Sequence, residues 1–208
     1  MFDKMKRNPE RMILTIFFAQ VILFGGVIGM RHMSGAGQPS LPPPRAIPPE
    51  NLAYLRLNAS EKLRYYHLVE FGDYQCPPCA KSHEQVRTLL KQHPEIVFHF
   101  RHMPLEQTHN LAMPAALLAE SARRSGKFQE VNAALYSMDA ELTKEKLKTL
   151  ETRYSLSKPK SQEHETVASD IADAKRLGID GTPTFVLCTA NGKAFILNSL
   201  EQADDFLK

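Results

Sequence analysis

Cysteine is scarce here: three residues, Cys76, Cys79 and Cys188, in a chain of 208. That is too few for a disulfide-stapled scaffold, so the closely spaced pair reads as reactive or metal-binding rather than structural. Excess charge is also lacking. The net charge is only +3, and no Lys/Arg run with interleaved aromatics occurs, which argues against a nucleic-acid partner. There is no internal repeat. No second Cys-x-x-Cys and no His-x₃-His accompanies the pair, so a zinc site, which ordinarily takes four protein ligands, would be short of partners. At 43% hydrophobic residues, the chain can still build one real core with additions.

What is present is a Cys-Pro-Pro-Cys at a strand-to-helix junction. Tyr65 to Phe71 is rich in aromatic and β-branched residues and reads as a strand. Ala80 to Gln92 has no Gly or Pro, carries Val86, Leu89 and Leu90, and ends before Pro94, so it reads as a helix. The helix dipole and its free N–H groups favour an anion at Cys76, which should ionise unusually easily. Cys79, one turn further in, is placed to attack a mixed disulfide formed at Cys76. Pro77 and Pro78 stiffen the turn and remove two backbone donors.

Before the motif, Lys4, Lys6, Arg7 and Arg11 precede an uncharged stretch, Met12 to Met30. As a helix it would cover roughly 28 Å, about one bilayer core. The basic residues place the N-terminus in the cytoplasm and the rest of the chain outside. Residues 1–33 therefore read as a cytoplasmic tip with a signal anchor. A cleaved signal peptide ending at Ser34-Gly35-Ala36 is the alternative, disfavoured by the length of the stretch and by Arg31 directly after it. Residues 34–50 hold six prolines and read as an extended spacer, with the domain proper at 51–208.

Within that domain, Ile96 to Met103 reads as a second strand, parallel to the first across the helical connection. Leu111 to Lys175 reads as wholly helical, with apolar stripes at Ala112–Ala122, at Phe128, Val131, Leu135 and Met138, at Leu147, Leu150 and Tyr154, and at Val167, Ile171 and Ala174. Gly178 closes it as a C-cap. Thr184 to Cys188 and Ala194 to Leu197 read as a hairpin turned at Asn191-Gly192, and Ser199 to Lys208 as a last helix. Cys188 reads as a small buried strand residue, and the scattered histidines as surface or satisfied groups.

This α/β order, with Cys-Pro-Pro-Cys, Glu70 six residues before Cys76, and Gly181-Thr182-Pro183-Thr184, resembles the thioredoxin fold with a helical insertion at about 108–178, and more narrowly the DsbA-like thiol:disulfide oxidoreductases. The resemblance implies a buried carboxylate at Glu70 that takes the Cys79 proton, and a cis-proline at Pro183 facing the cysteines. It also implies a substrate surface made by Thr182, Pro183, Pro77 and Pro78. Pro78 and Thr182 depart from the best-known oxidases, which carry histidine and often valine there. The reading is a membrane-anchored enzyme with its catalytic domain on the periplasmic side. It would introduce disulfides into exported proteins, need no cofactor, and be reset by a separate redox partner. A reductase or isomerase on the same fold, and a non-catalytic metal-binding membrane adaptor, are the alternatives.

Overall fold

The computed structural model describes residues 41–57, 65–138 and 142–207. The expected membrane helix at Met12–Met30 lies outside the described residues, among which no helix is long and apolar enough to cross a membrane. The folded unit is a five-stranded sheet in the order β1-β5-β4-β2-β3. The strands are β1 (Arg45–Ile47), β2 (Tyr66–Gly72), β3 (Ile96–His102), β4 (Thr184–Cys188) and β5 (Ala194–Leu197). β2 and β3 are parallel and joined through α1 (Pro77–Gln92), as the sequence predicts. β4 runs antiparallel to both β2 and β5. From His67 to Gly72, β2 is buried at every position, which explains a near-continuous apolar run rather than an alternating one.

The insertion consists of α2 (Ala112–Arg124), α3 (Phe128–Tyr136), α4 (Lys144–Arg153) and α5 (Ser161–Arg176). Small side chains at Ala115, Ala119 and Ala122, all fully buried, let α2 approach its neighbours closely. Phe128, Val131 and Leu135 of α3 join Leu147 and Leu150 of α4 in one cluster with Tyr74, Cys76 and Cys79. The core of the insertion therefore continues into the cysteine turn. Gly178 adopts φ +67°, the left-handed C-cap after α5. α5 is tied back to β3 by charge: the Arg101 guanidinium donates to Asp173 Oδ2 at 2.8 Å and to Asp170 Oδ1, with Arg56 on the same two carboxylates.

Two expectations need correction. The proline-rich spacer does not extend to Glu50, because Arg45–Ile47 pairs antiparallel with β5 and the folded unit begins at Leu41. The tripeptide between Pro44 and Pro48 keeps its N–H groups, and flanking prolines are tolerated on an edge strand. Pro49–Leu55 then forms a 3-10 helix that the sequence reading left unassigned. The last helix is also 3-10 and shorter, Leu200–Asp205, with i→i+3 bonds such as Phe206 N–H to Ala203 O at 3.0 Å. At the entrance to the unit, the side-chain amides of Asn198 and Gln202 donate to the Pro42 carbonyl at 2.8 and 3.0 Å.

Candidate active site

β2 ends at Gly72 and the chain turns through Asp73, Tyr74 and Gln75 into Cys76, the N-cap of α1. Asp73 makes this turn. Its Oδ1 accepts the Gln75 N–H at 2.7 Å, and its carbonyl accepts the Cys76 N–H at 3.2 Å. Its Oδ2 accepts the Leu105 N–H and meets His109 Nδ1, both at 2.8 Å, binding the turn to the loop after β3. Asp73 and His109 escaped the sequence reading. The Asp-x-Gln ahead of an N-cap was a local signal for the first of them. Nothing local pointed to the second.

Cys76 and Cys79 are free thiols, 5% and 0% exposed, so only Cys76 reaches the surface. Its thiol is pushed down to about 6, chiefly by the hydrogen bond from the Cys79 thiol, against burial and with smaller help from Thr182 and the Cys79 N–H. Cys79 is pushed strongly up, because it donates that hydrogen bond and is buried. The arrangement therefore makes one thiolate and one protonated thiol at neutral pH. Pro77 and Pro78 are exposed on the rim. The Thr182-Pro183 bond is cis, and the Thr182 carbonyl lies 3.2 Å from Cys76 Sγ. The Thr182 carbonyl thus stands against the sulfur of the more exposed cysteine.

Glu70 sits beneath, fully buried, in register with Phe100 on one side and Phe185 on the other. Neither carboxylate oxygen has a hydrogen-bond partner among the described residues. Burial, and then the charge of Cys76, raise its pKa to about 8. The second cause matters for chemistry. Glu70 holds its proton while Cys76 is a thiolate, and releases it more readily once Cys76 is tied up in a disulfide. Cys188 is buried on β4, opposite His67. Among the described residues no group of three or more His, Cys, Asp or Glu side chains could hold a metal ion.

Glu70→Gln is expected to keep the fold and the Cys76 thiolate but slow attack by Cys79 about a hundredfold, at the low end for lost acid–base assistance. Release of a preformed mixed disulfide, followed by stopped flow, measures it. A wild-type rate would reduce Glu70 to a buried carboxylate without a chemical task.

Residues 65–208 match the family described as thioredoxin. Among solved structures, DsbA2 of Pseudomonas aeruginosa superposes with a TM-score of 0.55 at 22% identity, covering 70% of this chain and 90% of its own. A periplasmic thioredoxin-like protein from Salmonella enterica serovar Typhimurium gives 0.61 at 16% identity, over 77% of this chain and 95% of its own. Both likenesses are of fold. A stretch of the Na(+)/H(+) antiporter NhaA 1 of Salinispora arenicola is 34% identical over 125 residues, covering 57% of this chain and 19% of the antiporter. The chain thus spans about a fifth of the length of the curated relatives it matches. With a thioredoxin match over residues 65–208, well over half of its length, the chain belongs to the thioredoxin family.

Proposed function

We propose that this chain is a DsbA-like thiol:disulfide oxidoreductase that works in the oxidising direction on exported proteins, held at the membrane through Met12–Met30 with its cysteines on the periplasmic side. The observation that carries the direction is the easily ionised Cys76. A stabilised thiolate stabilises the reduced protein, and so makes the disulfide form a stronger oxidant. A substrate thiolate attacks the Cys76–Cys79 disulfide at Cys76, and Cys79 leaves with a proton from Glu70. A second substrate thiolate then attacks the substrate sulfur of the mixed disulfide and expels Cys76. Two electrons pass to the enzyme dithiol, and a separate redox partner removes them. Pro77, Pro78, Thr182 and Pro183 make the rim on which the substrate backbone rests. The compartment is supported by the basic residues ahead of the apolar stretch and by the periplasmic relative of the same fold.

The test is the pH dependence of the two melting temperatures. Only the reduced protein has a free Cys76, whose folded pKa of about 6 lies below the ordinary 9.0. Its stabilisation is complete above the ordinary value and is lost as pH falls through about 6. Glu70, raised to about 8, acts oppositely, stabilising at low pH and losing that effect as pH rises through about 8; its burial acts in both redox forms, and the Cys76 charge adds to it only in the reduced one. The reduced protein should therefore melt above the oxidised one, by an amount that grows from pH 6 to 9. After allowance for solvent screening the gain is about 1–2 kcal/mol, or roughly 2–8 °C. An oxidised form that melts clearly higher across this range would replace the oxidase reading with a reductase.

A further inference from the structure

Four buried polar atoms near Cys79 have no hydrogen-bond partner among the described residues: both Glu70 oxygens, the Tyr136 hydroxyl and His83 Nε2. Their positions connect. Glu70 and Gly72 point to the same face of β2, two residues apart. A Cβ at Gly72 would come within 2.6 Å of the Tyr136 hydroxyl, so that hydroxyl occupies the place of a side chain beside Glu70. The His83 ring packs on Tyr136 at a centroid distance of 5.0 Å. His83 lies one turn after Cys79 on α1 and is half-buried, with its Nε2 enclosed.

The neighbouring ionisable groups are engaged elsewhere, although His102 Nδ1 is likewise buried without a hydrogen-bond partner among the described residues. Asp73 serves the turn and His109, and the Tyr74 hydroxyl donates to Asn132 at 2.7 Å. His102 is held by Glu120 at 2.8 Å, and Glu120 also takes Arg123. Buried polar groups without protein partners are where ordered water sits.

We propose that Tyr136 and His83 complete a proton path: the Tyr136 hydroxyl shares ordered water with the Glu70 carboxylate, and His83 passes the proton to solvent. The inference rests on the role given to Glu70 above. When Cys79 resolves a mixed disulfide, its thiol proton goes to the Glu70 carboxylate and its sulfur bonds to Cys76. The Cys76–substrate bond breaks, and the substrate leaves as a thiolate. The proton on Glu70 then moves through the water and Tyr136 to His83 and out. In the oxidising direction the same proton travels inward to the departing Cys79. Burial pulls the pKa of His83 down, which keeps its imidazole neutral and able to accept. Tyr136 and His83 are positioning residues, acting through Glu70.

Tyr136→Phe keeps the ring and its stacking on Tyr74 and His83, and removes one hydroxyl. In the full chain, resolution of a preformed mixed disulfide should slow about tenfold, the worth of one well-placed hydrogen bond. The infrared carbonyl stretch of protonated Glu70, assigned by its loss in Glu70→Gln, should move to higher frequency. His83→Gln should slow resolution without moving that band. Slowing in Tyr136→Phe with the band unmoved would make Tyr136 a packing residue and overturn the path. Wild-type rates in both variants, with Glu70→Gln still slow, would overturn the path and spare Glu70. A wild-type rate in Glu70→Gln as well would overturn both readings.

Discussion

Cys79→Ser should accumulate substrate proteins covalently attached at Cys76, and Cys76→Ser should accumulate none. The asymmetry comes from burial and charge. Cys76 reaches the surface and ionises near pH 6, whereas Cys79 is fully enclosed and held protonated by its bond to Cys76. A serine at 79 cannot expel the bound substrate, so the intermediate persists as a band that reducing agent removes. A serine at 76 leaves a thiol that substrate cannot reach. The expected contrast is all or none on a non-reducing gel of cells expressing each variant. Comparable trapping by both would mean that the two thiols exchange roles, which this geometry does not permit.

Arg101→Ala should cost about 3 kcal/mol, the largest effect expected outside the cysteine turn. Its side chain is 9% exposed, and the guanidinium lies between Asp170 and Asp173 and also donates to the Leu55 carbonyl at 3.3 Å. Truncation removes one of the cations shared by two buried carboxylates. Arg56 remains on both at 2.6 and 2.7 Å, which holds the loss at the lower end for broken buried pairs. The melting temperature should fall by roughly 6–12 °C. A drop equivalent to under 1 kcal/mol would show that Arg56, with Arg176 on Asp173, neutralises the site. Activity should fall with stability, because α5 leads through Gly178 into the Thr182-Pro183 loop that faces Cys76.

The parts of this molecule legible from sequence are those encoded locally. The strand before Cys76, the helix after it and the four helical stripes each show their period within a dozen residues. Glu70 and the Thr182-Pro183 loop were legible through resemblance; Glu70 is fully buried, and the Thr182 carbonyl lies 3.2 Å from Cys76 Sγ. β1 was illegible because three residues cannot display an alternation, and its partner, β5, lies at the other end of the chain. Asp170 and Asp173 lie off the Val167–Ile171–Ala174 stripe. They are buried at 3% and 5% exposure because Arg101, some 70 residues earlier, meets them there. Periodicity registers polarity but not pairing. Tyr136 stands one position off the Phe128–Val131–Leu135 stripe, and only the fold brings its hydroxyl to β2.

The seam between β1 and β5 has a mechanical meaning. Any pull or twist arriving along the chain at Leu41 meets the Asn198–Gln202 clamp on Pro42 and then the β1–β5 ladder. Two strands, β5 and β4, stand between that seam and β2, which carries Glu70 and leads into Cys76. The seam therefore meets such a load two strands before the cysteine turn.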